Sequence, residues 1–251
     1  MSNVPLPPRT AAVIPAAGRG LRLGPGAPKA LRTLSGTPML VHAVRAMAAS
    51  NAVSLVVVVG PPDDTVAVRG LLADLALPDR TEVVVVPGGE NRQESVRLGL
   101  DALPDDISVV LVHDAARPLV PVDTVDAVIE AVRDGARAVV PALPLTDTVK
   151  EVDPREGAAK GEPEPVVATP ERSRLRAVQT PQGFDRETLV RAHGTAPAEG
   201  EGATDCAGLV ESLGEPVVVV PGHEEAFKVT RPLDLVLAEA VLARRRANDG
   251  F

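Results

Sequence analysis

Five runs of consecutive β-branched and aliphatic residues are the strongest constraint on how this 251-residue chain can fold. They are AAVI at 11–14, SLVVVV at 54–59, EVVVV at 82–86, ISVVLV at 107–112 and ARAVV at 136–140. None alternates polar with apolar residues, as a strand with one wet face does. Strands buried on both faces read this way, as in a parallel sheet covered by helices. Segments with helical apolar spacing lie between them. The first has Thr37 as N-cap and Pro38 at the first helical position, with Leu40, Val41, Val44 and Met47 on one face. The others cover 64–77, 93–102 and 122–133. The order β-α-β-α-β-α-β-α-β predicts a doubly wound α/β fold, a mostly parallel sheet with helices on both faces. Such sheets bind ligands beyond the carboxyl ends of their strands.

The rhythm breaks at about Leu145. TVKEV at 148–152 and VVATPERS at 166–173 flank a polar, turn-rich stretch, which predicts a protruding β-hairpin arm at about 146–174. Helices are expected from about Arg186, at 203–212 and from Leu233 to the end, and strands at 215–220 and at FKVT, 227–230. Residues 1–9 read as a Pro-rich disordered tail and 10–247 as a single domain.

Composition narrows the function classes. Lys and Arg number 26 against 34 Asp and Glu, a net charge of −8 that argues against a nucleic-acid binder. Cys206 is the only cysteine, so no intramolecular disulfide can form. His42, His113, His193 and His223 are scattered without ligand spacing, so no zinc site is expected. The opening MSNVPLPPRT has neither a basic segment nor an apolar run, and no stretch approaches the ~18 apolar residues that span a bilayer. The expectation is a cytoplasmic protein without a membrane partner.

The chemistry-bearing segments sit at strand ends. The first strand runs into PAAGRGLRLGPGAPK at 15–29, where small residues let backbone N–H groups approach phosphate oxygens and Arg19, Arg22 and Lys29 supply positive charge. The spacing excludes two familiar phosphate motifs. After Gly18 and Gly20 the third glycine comes one place too late for a dinucleotide fingerprint, and no Gly-Lys-Ser/Thr is present. GGENRQES at 88–95 follows the third strand and HDAARP at 113–118 the fourth, at the same sheet edge. Asp114 is a hard oxygen donor suited to Mg²⁺. KVTRP at 228–232 is expected to end a short strand before the last helix.

PAAGRGLRLG with Pro28-Lys29, GGENRQESV, VHDAARP, TDTVK, TPQGF, EGATD and KVTRP resemble, in this order, the motifs of the 2-C-methyl-D-erythritol 4-phosphate cytidylyltransferase family. The resemblance runs from Thr10 to about Ala243. It implies a nucleotidyltransferase-like homodimer, joined through the arm, that uses Mg²⁺. The implied reaction moves CMP from CTP to the polyol phosphate and releases pyrophosphate, in non-mevalonate isoprenoid precursor biosynthesis. A ribitol 5-phosphate cytidylyltransferase, which shares fold and donor, is the alternative, and HDAARP favours methylerythritol. A non-catalytic nucleotide-binding module would lack the phosphate-side cations, yet Arg22, Lys29 and Lys228 are present.

The resemblance also assigns roles. Arg22 and Lys29 would stabilise the transition state. Ala16, Ala17 and Gly18 would wrap CTP, and Gly89, Glu90 and Ser95 would read cytosine. Asp114 and Ala115 would flank the ribose, the metal and the acceptor. Arg117, Thr180, Thr204 and the catalytic Lys228 would hold the acceptor. Thr148 and the catalytic Arg172 would reach into the neighbouring subunit's site. The chain departs from the family at Cys206, where an acidic residue usually follows Thr-Asp, and at Gly208, where Ser is common. The attacking phosphate oxygen is already ionised near neutral pH, so no general base is expected.

Overall fold

The structure, a computed structural model, describes residues 9–18, 28–153, 161–195 and 205–249. In chain order its elements are β1 (Arg9–Pro15), β2 (Thr33–Leu34), β3 (Thr37–Pro38), α1 (Met39–Ala49), β4 (Val53–Gly60), α2 (Thr65–Ala73), β5 (Glu82–Pro87), α3 (Arg92–Asp101), β6 (Ile107–Val112) and α4 (Val122–Arg133). Then come β7 (Ala138–Pro144), β8 (Glu151–Val152), β9 (Val166–Ala168), β10 (Arg176–Val178), β11 (Gln182–Asp185), α5 (Arg186–Thr195), α6 (Cys206–Ser212), β12 (Val217–Pro221) and α7 (Pro232–Asp249). The main sheet runs β10-β7-β11-β6-β1-β4-β5, with β12 beside β7 on the side away from β11. β1 lies parallel to both β4 and β6, and β4 is parallel to β5. β11 runs antiparallel between β6 and β7. The doubly wound, mostly parallel α/β fold expected from the sequence is the one observed.

Successive strand residues point to opposite faces. An uninterrupted apolar run therefore fills two cores at once. Ala12, Ile14, Val56, Val58, Val109 and Leu111 pack with Leu40, Val44 and Met47 of α1, Val68 of α2 and Val125 and Ile129 of α4. Ala11, Val13, Val57, Val59, Val110 and Val112 pack on the other face with Val96 and Leu100 of α3, Leu189 of α5 and Val210 of α6. Burying one such aliphatic side chain contributes roughly 1.5–3 kcal/mol. α3 lies so close to the sheet that a Cβ at Gly99 would sit 2.5 Å from Val13 Cγ1 and 3.0 Å from Val59 Cγ2.

Several local expectations are corrected. Thr37 and Pro38 do not open α1. They form β3, which pairs with β2 across a turn with positive φ at Ser35 and Gly36. Two successive residues of positive φ make the tight hairpin geometry that Ser-Gly accepts, and this outweighs the capping signal. FKVT is not a strand; the segment is tied to the loop after β6 through the Val229 N–H donating to the Ala116 carbonyl at 2.8 Å. β7 spans 138–144, later than 136–140, and α2 ends at Ala73, short of 77. The arm is present as the antiparallel pair β8–β9, shorter than expected, with Val166 and Val167 exposed. The tail expected at 1–9 is corrected at its last residue, because Arg9 opens β1 and its guanidinium pairs with Asp106. Residues 1–8, 154–160 within the arm and 203–204 at the start of the expected helix lie outside the described residues.

Candidate active site

β1 leads to β4 and β5 on one side, and the chain then crosses to β6 on the other. This reversal is the switch point at which open α/β sheets form a crevice beyond their carboxyl ends. The three loops that meet there are fixed by continuation of the sheet's hydrogen bonds. Ala16 N–H donates to the Val59 carbonyl at 2.8 Å, Gly88 N–H to Gly60 at 2.8 Å and His113 N–H to Val13 at 2.9 Å. A Cβ at Gly88 would lie 2.8 Å from the Ala17 Cβ, so glycine lets the second loop close on the first.

Between these loops is a cavity of about 320 Å³, lined by Ala16, Ala17, Gly18, Lys29, Gly89, Glu90, Asn91, Arg92, Ser95, Asp114, Ala115 and Lys228, among others. Its rim at the start of α3 is held by a set of local hydrogen bonds. The Asn91 side chain caps the helix by accepting from Glu94 N–H at 2.8 Å, and the Glu94 carboxylate accepts from Glu90 N–H at 2.8 Å. This resembles a capping box displaced by one residue, since the carboxylate takes the N–H of Glu90 and not that of the N-cap Asn91. The Ser95 hydroxyl donates to the Asn91 carbonyl at 2.8 Å and accepts from Gly89 N–H at 3.2 Å.

Asp114 is the electrostatic centre. Lys228 Nζ lies 2.7 Å from its Oδ2 and Arg92 Nη2 lies 3.4 Å from its Oδ1. Burial alone would raise the Asp114 carboxyl. The Arg92 and Lys228 charges and the Lys228 hydrogen bond outweigh it and hold the group well below the usual carboxylate range. Behind Asp114, burial pushes the His113 imidazole down to about 4. Cys206 follows the N-cap Asp205 of α6, with Sγ 3.5 Å from Arg92 Nη1. Burial raises its thiol despite the Arg92 charge, which keeps it a neutral packing group.

The described residues hold no group of three or more His, Cys, Asp or Glu side chains able to grip a metal by themselves. A cavity whose only lining carboxylates among the described residues are Asp114 and Glu90, beside several cations, suits a metal that arrives with phosphate oxygens as its other ligands.

A family model for 2-C-methyl-D-erythritol 4-phosphate cytidylyltransferase matches residues 10–244. The chain belongs to this family. It is 79% identical over 243 residues to the 2-C-methyl-D-erythritol 4-phosphate cytidylyltransferase of Streptomyces avermitilis, covering 97% of this chain and 95% of that one. The Frankia casuarinae protein of the same name is 56% identical over 237 residues, covering 94% and 82%. The crystal structure of the Thermus thermophilus cytidylyltransferase superposes with a TM-score of 0.68 at 37% identity, covering 92% of this chain and 97% of that one. That of the 4-diphosphocytidyl-2C-methyl-D-erythritol synthase of Anaerococcus prevotii gives 0.78 at 27% identity, covering 94% and 98%.

Of the residues that the resemblance singles out for this family, Ala16, Ala17, Gly18, Lys29, Gly89, Glu90, Ser95, Asp114, Ala115 and Lys228 converge on the one cavity. Arg22 and Thr204 lie outside the described residues. Thr148 and Arg172 are exposed on the arm and do not line this subunit's cavity; the Arg172 guanidinium donates to the Thr146 carbonyl. Arg117 and Thr180, expected at the acceptor, face inward instead. The Arg117 guanidinium donates to the carbonyls of Ala226 at 2.7 Å and Val178 at 3.3 Å. The buried Thr180 hydroxyl accepts from Asp114 N–H at 3.0 Å. Each satisfies backbone groups of the loops that carry the site.

Arg92 was not singled out by sequence, although it lines the cavity and touches Asp114. A signal was available. Arg92 is the first residue of α3, where the helix dipole disfavours a cation, so a basic residue there calls for a specific partner.

Among the described residues, no helix is long and apolar enough to cross a membrane.

Proposed function

We infer that this protein transfers CMP from CTP to 2-C-methyl-D-erythritol 4-phosphate, giving 4-diphosphocytidyl-2-C-methyl-D-erythritol and pyrophosphate. The observation that carries the reading is the convergence, in a member of this family, of Lys29, Arg92 and Lys228 on one carboxylate-bearing cavity at the sheet's switch point. A phosphate oxygen of the acceptor attacks the α-phosphorus of CTP. The new oxygen–phosphorus bond forms as the bond to the pyrophosphate oxygen breaks, and the leaving group carries the charge away. Nothing has to be deprotonated, so the protein's task is positioning and charge neutralisation.

Lys29, with Arg22, screens the triphosphate and the departing pyrophosphate. Ala16, Ala17 and Gly18 offer backbone to the phosphates. Gly89, Glu90 and Ser95 read the cytosine edge from the start of α3. Lys228 and Thr204 hold the acceptor phosphate. Ala115 closes on the ribose, and Arg117 and Thr180 shape the acceptor side from behind. Asp114 would hold Mg²⁺, whose charge would add to that of the lysines against the triphosphate. Residues 10–247 act as one domain in a cytoplasmic homodimer. The arm at 146–174 crosses to the second subunit, bringing Thr148 and Arg172 to its acceptor.

The test is turnover with Mg²⁺ and either 2-C-methyl-D-erythritol 4-phosphate or ribitol 5-phosphate, using CTP or UTP. The reading expects product from CTP and the methylerythritol acceptor. UTP should be slower by orders of magnitude, because the wrong base leaves buried polar groups unpaired. Equal kcat/KM with ribitol 5-phosphate would reassign the acceptor.

A further inference from the structure

Asp114 is held from two sides. Its carboxylate faces Arg92 and Lys228 in the cavity, while its main chain is fixed by a buried relay that no ligand can reach. Asp114 N–H donates to Thr180 Oγ1 at 3.0 Å. His113 Nδ1 lies 3.1 Å from the same oxygen. On the far side of the ring, His113 Nε2 lies 3.1 Å from the Arg117 carbonyl oxygen. His113 is fully buried and Thr180 nearly so.

These contacts fix the proton positions. A carbonyl oxygen can only accept, so Nε2 must carry the ring proton. In the neutral ring Nδ1 is then a bare acceptor, and the Thr180 hydroxyl must donate to it. That turns a Thr180 lone pair toward Asp114 N–H. The other neutral tautomer would set the Nε2 lone pair against the Arg117 carbonyl and lose a buried hydrogen bond. Only one arrangement of protons on the neutral ring satisfies all three contacts.

The relay is anchored to its surroundings. The Arg117 guanidinium donates to the Ala226 carbonyl. Gln179, beside Thr180, exchanges two hydrogen bonds with the His223 backbone, donating to its carbonyl at 2.9 Å and accepting from its N–H at 3.0 Å. The loops after β6, before β11 and after β12 are thus joined by polar links. Of the relay's residues, only Asp114 faces the cavity.

We propose that His113 is a positioning residue for cytidylyl transfer: acting through the Thr180 hydroxyl, it fixes the main chain at Asp114 and so aims that carboxylate into the cavity. The proposal rests on the reading of the cavity as the CTP and acceptor site. The ring touches no substrate and moves no proton during the reaction. It determines where the Asp114 carboxylate and its partner Lys228 stand, and misplacing a reacting constellation by about 1 Å can cost about 10²-fold in rate.

Three variants separate this role from packing. His113→Asn keeps an acceptor near the place of Nδ1 and loses the donor to Arg117. His113→Gln can reach the Arg117 carbonyl but leaves the Thr180 hydroxyl without its acceptor. Thr180→Val removes the hydroxyl at nearly constant shape. Expected are kcat losses of about 10–100-fold in His113→Gln and Thr180→Val. KM for CTP should stay within about threefold, since the cytosine end hangs from α3, and His113→Asn should be at least about fivefold faster than His113→Gln. The double variant His113→Gln/Thr180→Val should be no slower than Thr180→Val alone, because both break one link. Equal losses in the two histidine variants, additive losses in the double, or a wild-type kcat in Thr180→Val would overturn the proposal. If His113→Gln does not fold, the valine variant decides. ¹⁵N NMR of the His113 ring in the wild-type protein gives a readout independent of turnover, with Nε2 expected to be protonated and Nδ1 bare. The opposite tautomer sinks the relay. A wild-type protein that shows the expected tautomer but makes no product would instead refute the functional reading.

Discussion

Lys228 Nζ stands 2.7 Å from Asp114 Oδ2, so the cation assigned to the acceptor and the carboxylate assigned to the metal neutralise each other before either meets its ligand. Mg²⁺ and an acceptor phosphate would exchange one pairing for two. Lys228→Met should therefore separate the two functions. It is expected to lower kcat by about 10²-fold or more and raise KM for the acceptor, the usual loss when a preorganised cation is removed. The Mg²⁺ concentration for half-maximal rate should fall, because Asp114 has one competitor fewer. Steady-state kinetics with varied Mg²⁺ checks both. A Mg²⁺ requirement that rises in the variant would contradict the arrangement.

Two buried histidines predict acid sensitivity. Burial lowers both His113 and His193 to about 4, with Arg92 and Arg97 adding to the effect at His193. Unfolded, each would titrate near the ordinary imidazole value of about 6.5. Between those values the unfolded chain binds more protons, so stability falls as pH falls, at about 1.4 kcal/mol per pH unit for each histidine. The window is roughly pH 6.5 down to 4, above the range in which Asp114 would lose its ion pairs. Among the described residues, neither His193 ring nitrogen has a hydrogen-bond partner. His193→Leu should therefore raise Tm at pH 5 and reduce the slope of stability against pH by about one proton. An unchanged slope would show that His193 is charged in the folded state.

Much of the fold was legible because it rests on local apolar runs. Ile14 and Val13 fill opposite cores whatever the loops do, and 122–133 is a helix in both readings. What was missed depends on contacts between distant segments. The helix signal at Thr37-Pro38 lost to a hairpin turn at Ser35-Gly36. The strand expected at FKVT became a single tether to Ala116. At the site, the short motifs marked the loops that meet but not their pairings. Arg92 reaches Asp114 and Thr180 reaches His113 only after the sheet has brought those loops together. Arg117 reads as a ligand residue in sequence, yet its guanidinium goes to carbonyls of two other segments.

Close packing behind the site predicts a sensitive position outside it. An added methyl at Gly99 would press on Val13 and Val59 and push α3 from the sheet. Gly99→Ala should destabilise by about 1–3 kcal/mol, the usual range for overpacking a core. Because Arg92 and Ser95 ride on α3, KM for CTP should rise as well. Urea denaturation and CTP kinetics measure the two effects. A variant of wild-type stability would mean that α3 shifts freely.

The arm predicts complementation between subunits. Arg22→Ala and Arg172→Ala proteins should each be nearly inactive. If each arm serves the other subunit, a mixed dimer has one site with both lesions and one with neither. Random re-association of equal amounts makes about half the dimers mixed, so about a quarter of wild-type activity should return. No recovery, with mixed dimers shown to have formed, would assign Arg172 to its own subunit.

The most direct measurement of the central claim follows the α-phosphorus. With CTP labelled at that atom, Mg²⁺ and 2-C-methyl-D-erythritol 4-phosphate, the label should leave CTP and appear in 4-diphosphocytidyl-2-C-methyl-D-erythritol, with one unlabelled pyrophosphate released per transfer. Label that remained in CTP, appeared as free CMP, or moved only when ribitol 5-phosphate was the acceptor would contradict it.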